Sequence, residues 1–311
     1  MKNEFYIGNT DHDWFNFCRN HMPRSEINFW QPSKQHFRVL DEGGVFFFRR
    51  KSPINLIGGF GVFVSAGTVT IGTAWRDLGI SNGVESLESF IEIVRKYKRT
   101  EFVDQNTLIG FKLLTEPVFL NENDYFELPL DWSPNIVSGK GYSSVSDAGR
   151  ILHTKYLALR EKYNISVKAV TPTGLSEPPS SGYTYSEQKV RIGQSAFRLA
   201  ILGAYEGRCA VTGTAVENTL EAAHLLDYAK FPDHSIENGI LLRKDIHSLF
   251  DAGFLLIDQN YRIRFSNQFK DSHSEATEYL ALEGKKISLP RNSKNWPSIN
   301  KLFISGHLFQ I

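Results

Sequence analysis

The chain has 311 residues, 41% hydrophobic and 22% charged, which is typical of a soluble globular protein long enough for two domains. Its net charge of +1 excludes a protein held to nucleic acid by overall charge, so any nucleic-acid contact must come from local basic clusters. The two cysteines, Cys18 and Cys209, are too few for a disulfide scaffold or a four-thiolate zinc site. With no apolar signal segment and no membrane-length apolar run, the sequence predicts a reduced, cytoplasmic protein without a membrane partner.

The first part of the chain, to about residue 130, is rich in strand-like runs. In FRVLDEGGVFFFRRK, the pair Gly43–Gly44 predicts a hairpin, and the glycine-punctuated run 57–75 predicts curved strands. Residues 86–99 have helical spacing, and residues 107–120 predict two more strands. Several strands around one or two helices predict a small α+β barrel with flanking helices.

A helix and a linker are predicted to join this region to the rest of the chain. Residues 143–163 have apolar positions at helical spacing, and TPTGLSEPPSSGYT (171–184) combines prolines, glycines and hydroxyl residues as linkers do. The predicted organisation is an N-terminal domain over 1–135, a connecting helix and linker over 136–184, and a C-terminal domain over 185–311.

The C-terminal domain contains a strand–loop–strand–helix pattern. LEAAH (220–224) predicts one strand, NGILL (238–242) a turn and a second strand, and DIHSLFDAG (245–253) a helix with Asp245 as its N-cap. The pattern carries His224, Asn238 and His247.

These residue types suit phosphodiester hydrolysis with one divalent cation. A histidine titrates near neutral pH, so His224 at the end of the first strand is the candidate general base. Asn238 would orient that imidazole or brace the loop. His247 on the helix would bind the cation, with Asp251 one turn later on the same face. Four basic residues are candidates for the DNA backbone, although a solvated helix face explains the first two equally well: Arg191, Arg198, Arg243 and Lys244.

The segments CAVTG, LEAAH and NGILLRKDIHSLFD resemble the HNH, or ββα-metal, nuclease family over residues 185 to 265. The resemblance implies DNA cleavage with one Mg²⁺ or Mn²⁺ per active site, with His224, Asn238 and His247 in the three named roles. Many members place a metal ligand immediately before the first histidine, where this chain has Ala223. Either the ion has fewer protein ligands, or Glu221 or Asp251 contributes.

Purely structural explanations exist for each of these residues taken singly. A lone histidine in an apolar strand is usually a core residue, and Asn238–Gly239 could be only a turn. Asp251 could pair with Arg243 or Lys244, and Cys209 is expected to be a buried small hydrophobe.

The N-terminal domain has no catalytic constellation, but its aromatic residues and glycines suggest a base-binding pocket. Trp30 and Trp75 are the candidates for an aromatic cage, with Phe60 and Ser33 as further lining residues. The basic run Arg49, Arg50 and Lys51 would hold the phosphate backbone beside it.

The string NFWQPS…FFFRRKSPINLIGGFGVF…AW…GISNG resembles the EVE-like branch of the PUA superfamily, whose small barrel accepts a flipped, modified base. Together the two resemblances imply a modification-dependent, type IV-like restriction endonuclease that cuts DNA bearing 5-methyl- or 5-hydroxymethylcytosine. A homodimer on DNA is plausible for cutting both strands. The alternatives are a modified-DNA reader whose nuclease is weakened, as Ala223 allows, and an HNH nuclease not selective for modification.

Overall fold

The computed structural model describes residues 3–21, 26–34, 37–165, 196–226 and 233–309. The chain divides into two compact units, Met1–Ile192 and Gly193–Ile311. The predicted linker 171–184 and Arg191 lie outside the described residues. Among the helices that are described, none has the length and apolar character to cross a membrane.

The first unit is built on a mixed six-stranded sheet. Its elements, in chain order, are β1 (Asn3–Thr10), α1 (His12–His21), β2 (Ile27–Asn28), β3 (Leu40–Arg50), β4 (Ile57–Thr70), α2 (Ile71–Leu78), α3 (Leu87–Lys98), β5 (Leu108–Phe119), β6 (Gly139–Tyr142) and α4 (Asp147–Lys162). The strand order is β2-β5-β4-β3-β1-β6, with β1 and β3 parallel and the other pairs antiparallel. The predicted closed barrel is not confirmed, because β2 and β6 remain unpaired edges of this sheet in the described part of the chain.

Strand β3 has apolar residues at consecutive positions, and its packing explains why. Val45 and Phe47 point to a core cluster that includes Leu152 of α4, whereas Phe46 and Phe48 point to a second cluster that includes Phe15 of α1. Successive strand residues face opposite sides, so a strand covered on both faces is apolar at every position. The buried aromatic residues are therefore mainly the core of a covered sheet.

Local sequence predictions for this unit are wrong at Gly43–Gly44 and over 107–120, where the two predicted strands are one strand, β5. There is no hairpin at Gly43–Gly44: β3 continues through it, and between the pairs Asn3–Leu40 and Phe5–Val45 it has four residues where β1 has one. The glycines accommodate this bulge, and Gly43 has φ 82. The predicted boundary at 135 also falls inside the unit, because β6 pairs with β1 and α4 contributes to the core. Helices α3 and α4 themselves are confirmed.

The second unit consists of small pieces around a short antiparallel ribbon. Residues 196–204 are helical (α5), and the remaining elements are β7 (Leu220–His224), β8 (Gly239–Arg243), α6 (Lys244–Asp251), β9 (Leu255–Ile257), β10 (Ile263–Phe265), α7 (Asn267–Ser272), α8 (Thr277–Leu280) and α9 (Ile299–Ile304). Strands β7 and β8 pair antiparallel, and so do β9 and β10. The predicted strand–loop–strand–helix order is confirmed.

Candidate nuclease site

The ribbon and helix α6 form the frame of the site. Leu220 pairs with Arg243 at one end of the ribbon, and His224 pairs with Gly239 at the other. The prediction that Asp245 caps α6 is wrong: the helix begins at Lys244, with Arg243 at the cap position and no side-chain cap. Cys209 is buried and free, as predicted, and its Sγ accepts the Arg243 amide at 3.2 Å.

His224 lies at the end of β7 against an aromatic ring from α5. Its imidazole stacks on Phe197 with ring centroids 3.9 Å apart and planes 11° from parallel. Gly239 makes this approach possible, because a Cβ there would lie 2.6 Å from the Phe197 ring and 2.4 Å from Ile201. Its backbone is extended (φ −136). The glycine of NGILL therefore serves close packing beside His224.

Asn238 braces the loop between the two strands. It is fully buried. Its side-chain oxygen accepts the Leu226 amide at 3.0 Å, and its side-chain amide donates to the Asp233 carbonyl at 2.8 Å. Its own carbonyl accepts the Leu225 amide at 2.8 Å. Asn238 thus joins the two described ends of the loop next to His224, which is the bracing role of the two that the sequence allowed.

A lysine from α9 holds the same loop from the other side. The Lys301 ammonium donates to Asp233 at 2.6 Å, Ser235 at 2.9 Å and Glu237 at 2.7 Å. Burial alone would raise the pKa of Asp233, but the hydrogen bonds from Lys301 and Ser235 outweigh it and lower that pKa. No local sequence pattern indicates this role of Lys301, since it lies 64 to 68 positions from its partners.

The residue between these anchors is a histidine that faces the site. His234 lies with its ring centroid 5.8 Å from both His224 and Phe197. Burial lowers its pKa. Because Asp233 and Ser235 are held on Lys301, the chain between them presents His234 beside His224. No motif singled out His234 from sequence.

His247 is held between two carboxylates. Its Nδ1 is 2.8 Å from Glu221 of β7, and its Nε2 is 3.3 Å from Asp251 one turn further along α6. Glu221 and Asp251 are 43% and 63% exposed, so both remain open to solvent. Asp251 thus contacts His247 and is not paired with Arg243 or Lys244.

Glu221 also occupies the face where the missing ligand would lie. Ala223 is fully buried on β7, and strand alternation places Glu221, two residues earlier, on the same face. This face meets α6 at His247. The structure therefore brings a carboxylate to His247 from two residues before Ala223.

The donor set suits a divalent cation, although it is not a preformed cage. No group of three or more His, Cys, Asp or Glu side chains in the described residues is arranged to hold a metal. If Nδ1 of His247 donates to Glu221, Nε2 keeps its lone pair beside the Asp251 oxygen, an arrangement common to metal-binding histidines. Their 3.3 Å separation is close to the edge, about 3 Å, of an octahedron with ligand distances of about 2.0–2.1 Å. The residues present fit Mg²⁺ or Mn²⁺.

The residues predicted to contact the DNA backbone differ in their exposure and in their hydrogen-bond partners. Lys244 is exposed, whereas Arg243 makes a bidentate pair with Asp245 at 2.6 Å. The hydrogen bonds from Arg243 hold the pKa of Asp245 down to about 2. Arg198 donates to the Leu220 carbonyl at 3.4 Å and so lies along β7.

In the first unit, the two tryptophans predicted for the cage lie in different parts of the fold, Trp30 just after β2 and Trp75 in α2. The Trp30 indole donates to the Asn82 carbonyl at 3.0 Å and packs on Phe90 of α3, with centroids 5.2 Å apart. Trp75 lies in α2, and no aromatic contact among the described residues joins it to Trp30. The prediction that Phe60 lines the base pocket is wrong, because this residue is 1% exposed in the core and cannot line an open pocket. Ser33 is exposed.

The predicted basic run is mostly structural. Arg50 is 5% exposed, with its guanidinium 4.2 Å from the Phe15 ring centroid and bonded to His12 and Tyr125, so its assignment to DNA is corrected. Arg49 donates to Asn9 and Asn55 at 2.7 and 2.8 Å. Arg49 and Arg50 differ in burial because successive strand residues point to opposite faces of β3. Lys51 follows the last residue of the strand.

Residues 209–258 match the family model HNH_2, described as HNH endonuclease. The match supports an HNH endonuclease domain in this segment, and it includes His224, Asn238, His247 and Asp251. It covers the ribbon and helix α6 but not Lys301.

Comparison with curated proteins gives no match. Among solved structures, ASCH from Zymomonas mobilis is similar with 11% identity and a TM-score of 0.33, covering 50% of this chain and 95% of that one. A point variant of ZmASCH from the same organism gives 11% identity and a TM-score of 0.33, with 50% and 98% covered. This likeness is too distant to support an argument about fold or activity.

Proposed function

We propose that this chain is a divalent-metal-dependent DNA endonuclease whose first unit directs it to modified cytosine. The observation that carries the nuclease part is the HNH domain match, with His224 and His247 set by distinct anchors. Asn238 braces the loop beside His224, and Glu221 and Asp251 flank His247.

Each residue then has one task. His224 accepts the proton of the attacking water, while the Phe197 ring beneath it restricts the imidazole plane. His247 and Asp251 hold the cation, and Glu221 orients His247 through Nδ1. The bound ion supplies charge neutralisation at the scissile phosphate and the leaving oxygen. Lys244 contacts the backbone phosphates.

The alternative of a weakened nuclease rested on Ala223. Asp251 lies beside Nε2 of His247, so a carboxylate for the cation can come from the helix instead of position 223. This supports an active enzyme. Since each domain has one such site, two copies acting together would be needed to cut both strands.

Selection for modified cytosine is the part of the proposal that rests on the first unit. Stacking on aromatic rings tolerates a methyl or hydroxymethyl group at C5, and such stacking contributes about 1–3 kcal/mol per base. The unit is the aromatic-rich half of the chain, and it leaves Ser33 exposed at a sheet edge.

The decisive experiment is a plasmid cleavage assay with Mg²⁺ or Mn²⁺ on unmodified, 5-methylcytosine and 5-hydroxymethylcytosine DNA. We expect cutting of the modified plasmids and little cutting of unmodified DNA. Equal cutting of all three would leave the nuclease and remove the selectivity. Cutting of none, with either metal, would refute the enzyme.

A further inference from the structure

The packing of the core does not explain why one lysine of the first unit is buried. Lys112 lies on β5, is 4% exposed, and donates to the Gln31 side-chain oxygen at 2.7 Å. Its ammonium lies 5.5 Å from the ring centroid of Phe29 and 5.2 Å from that of Phe37. No carboxylate in the described residues pairs with it, and burial lowers its pKa to about 7. An apolar residue there would be less costly to bury.

The lysine belongs to a short row of side chains at the sheet edge. The backbone of residues 27–31 runs antiparallel to β5, with Phe29 opposite Lys112 and Gln31 opposite Gly110. Strand alternation places Phe29 and Gln31 on the Lys112 face and turns Trp30 to the other side, and Ser33 joins this row through its hydrogen bond with Gln31. A Cβ at Gly110 would lie 2.8 Å from both the Gln31 side chain and the Ser33 carbonyl oxygen, so the glycine lets this row lie close to β5.

The Gln31 carboxamide links the buried lysine to the surface. Its oxygen accepts from Lys112, and its amide donates to the Ser33 hydroxyl at 3.2 Å. Lys112 therefore offers a donor and Ser33 an acceptor to the same carboxamide, and the phenyl rings of Phe29 and Phe37 lie near the lysine. The N3 and N4-amino groups of cytosine present an acceptor and a donor on neighbouring atoms, as a carboxamide does.

We propose that Lys112, Ser33, Phe29 and Phe37 form the base-binding subsite of the first unit, and that the edge of a flipped cytosine displaces the Gln31 carboxamide. Lys112 donates to N3, and the Ser33 hydroxyl accepts from the N4-amino group. The phenyl rings contact the base face and the C5 substituent. This inference rests on the proposed function, because it names the ligand class that the first unit would take from duplex DNA.

Binding is measured by fluorescence anisotropy with the full chain carrying His224→Ala, so that cleavage does not interfere. The probes are fluorescein-labelled duplexes with one central 5-methylcytosine, one central cytosine, or one cytosine opposite an abasic site. Lys112→Met removes the charge and keeps the side-chain length. Lys140→Met is the matched control, since Lys140 also lies over an aromatic ring (Tyr142, 5.0 Å) but pairs with Asp131 at 2.6 Å.

We expect Lys112→Met to weaken binding of the 5-methylcytosine duplex by about tenfold, which corresponds to about 1.4 kcal/mol. The melting temperature should stay the same or rise, because a buried charge is removed, so lost binding cannot be attributed to unfolding. Affinity should also fall as the pH rises above 7 in the parent and stay flat in the variant. The contacts of Lys112 in the described residues, Gln31, Phe29 and Phe37, do not titrate. Lys140→Met should leave binding within twofold.

Failure of this inference is distinguishable from failure of the proposed function. If the parent does not prefer 5-methylcytosine but prefers the cytosine opposite an abasic site, and Lys112→Met abolishes that preference, the subsite stands and the modification selectivity fails. If Lys112→Met binds all three duplexes as the parent does, the subsite is refuted, whether or not modified plasmid is cut.

Discussion

Replacing Lys301 by methionine should loosen the active-site loop without touching a predicted catalytic residue. The change removes three hydrogen bonds, to Asp233, Ser235 and Glu237, and keeps the aliphatic stem. Hydrogen bonds to charged groups contribute about 1.5–3 kcal/mol each. The Glu237 side chain is 42% exposed and its pair is screened, so it adds no more than about 1 kcal/mol. The Lys301 and Asp233 side chains are only 14% and 23% exposed, so their pair supplies most of the effect.

We expect a loss of about 3 kcal/mol in the free energy of unfolding of the second unit, and a melting temperature lower by about 10 °C. Differential scanning calorimetry measures this, with the transition of the first unit as the internal control. In the plasmid assay, kcat should fall more than KM rises, because the loop carries Asn238 and His234. Lys301→Arg keeps the charge and should recover part of both losses. A shift below about 2 °C would refute the reasoning.

The pH dependence gives an independent check with a fixed sign. The pKa of Asp233 is lowered in the folded protein, so its contribution is present above the unfolded value of about 3.9 and is lost as the pH falls through the folded value. The stability difference between the parent and Lys301→Met should therefore be full at pH 7 and shrink below about pH 4. A difference that stays constant from pH 7 to pH 3 would show that the ionised Asp233 carboxylate is not the partner through which Lys301 stabilises the loop.

Four further substitutions test the site itself. His224→Ala should bind DNA normally and cut at least about 100-fold more slowly in single-turnover assays, and normal cutting would mean that the base is misassigned. Glu221→Gln and Asp251→Asn should each raise the Mg²⁺ concentration needed for half-maximal cutting, by about 10–100-fold for Glu221→Gln, and an unchanged requirement would exclude that carboxylate. Asn238→Asp keeps the acceptor for Leu226 but sets an oxygen against the Asp233 carbonyl, so thermal unfolding should show about 2 kcal/mol of destabilisation; a neutral result would contradict bracing.

The ribbon and helix of the HNH domain could be predicted because their signals are local. LEAAH, NGILL and DIHSLFD each specify one element of secondary structure. The positions of the polar residues within these elements determine which of them lie close together when the elements pack. The role of Lys301 could not be predicted from local sequence, since no nearby residue indicates that its partners lie 64 to 68 residues away. His234 was missed for a related reason, because its position depends on Lys301 and Asn238 holding the residues on both sides of it.

In the first unit, the roles of individual residues could not be predicted from local sequence for a different physical reason. Its β3 is apolar at consecutive positions because helices cover both sheet faces, so alternation is invisible and aromatic residues look like pocket candidates. Phe60 and Arg50 were misassigned on this account. The two strands predicted over 107–120 are one strand, β5, and the partner of Lys112 lies 81 residues away. A buried lysine cannot be told from an exposed one by its neighbours in sequence.

Glu221 was one of the two carboxylates that the sequence offered in place of a ligand at Ala223, and the strand period shows which face of the strand it lies on. Once LEAAH is taken as a strand, position 221 must share a face with position 223, because successive side chains alternate. Glu221 therefore lies on the side of β7 from which it can reach His247. Asp251 lies four residues after His247 on its own helix and approaches Nε2, whereas Glu221 approaches Nδ1 from the strand. The two carboxylates therefore contact different nitrogens of one imidazole: Glu221 can orient the ring through Nδ1, and in the proposed enzyme the cation would bind on the Asp251 side.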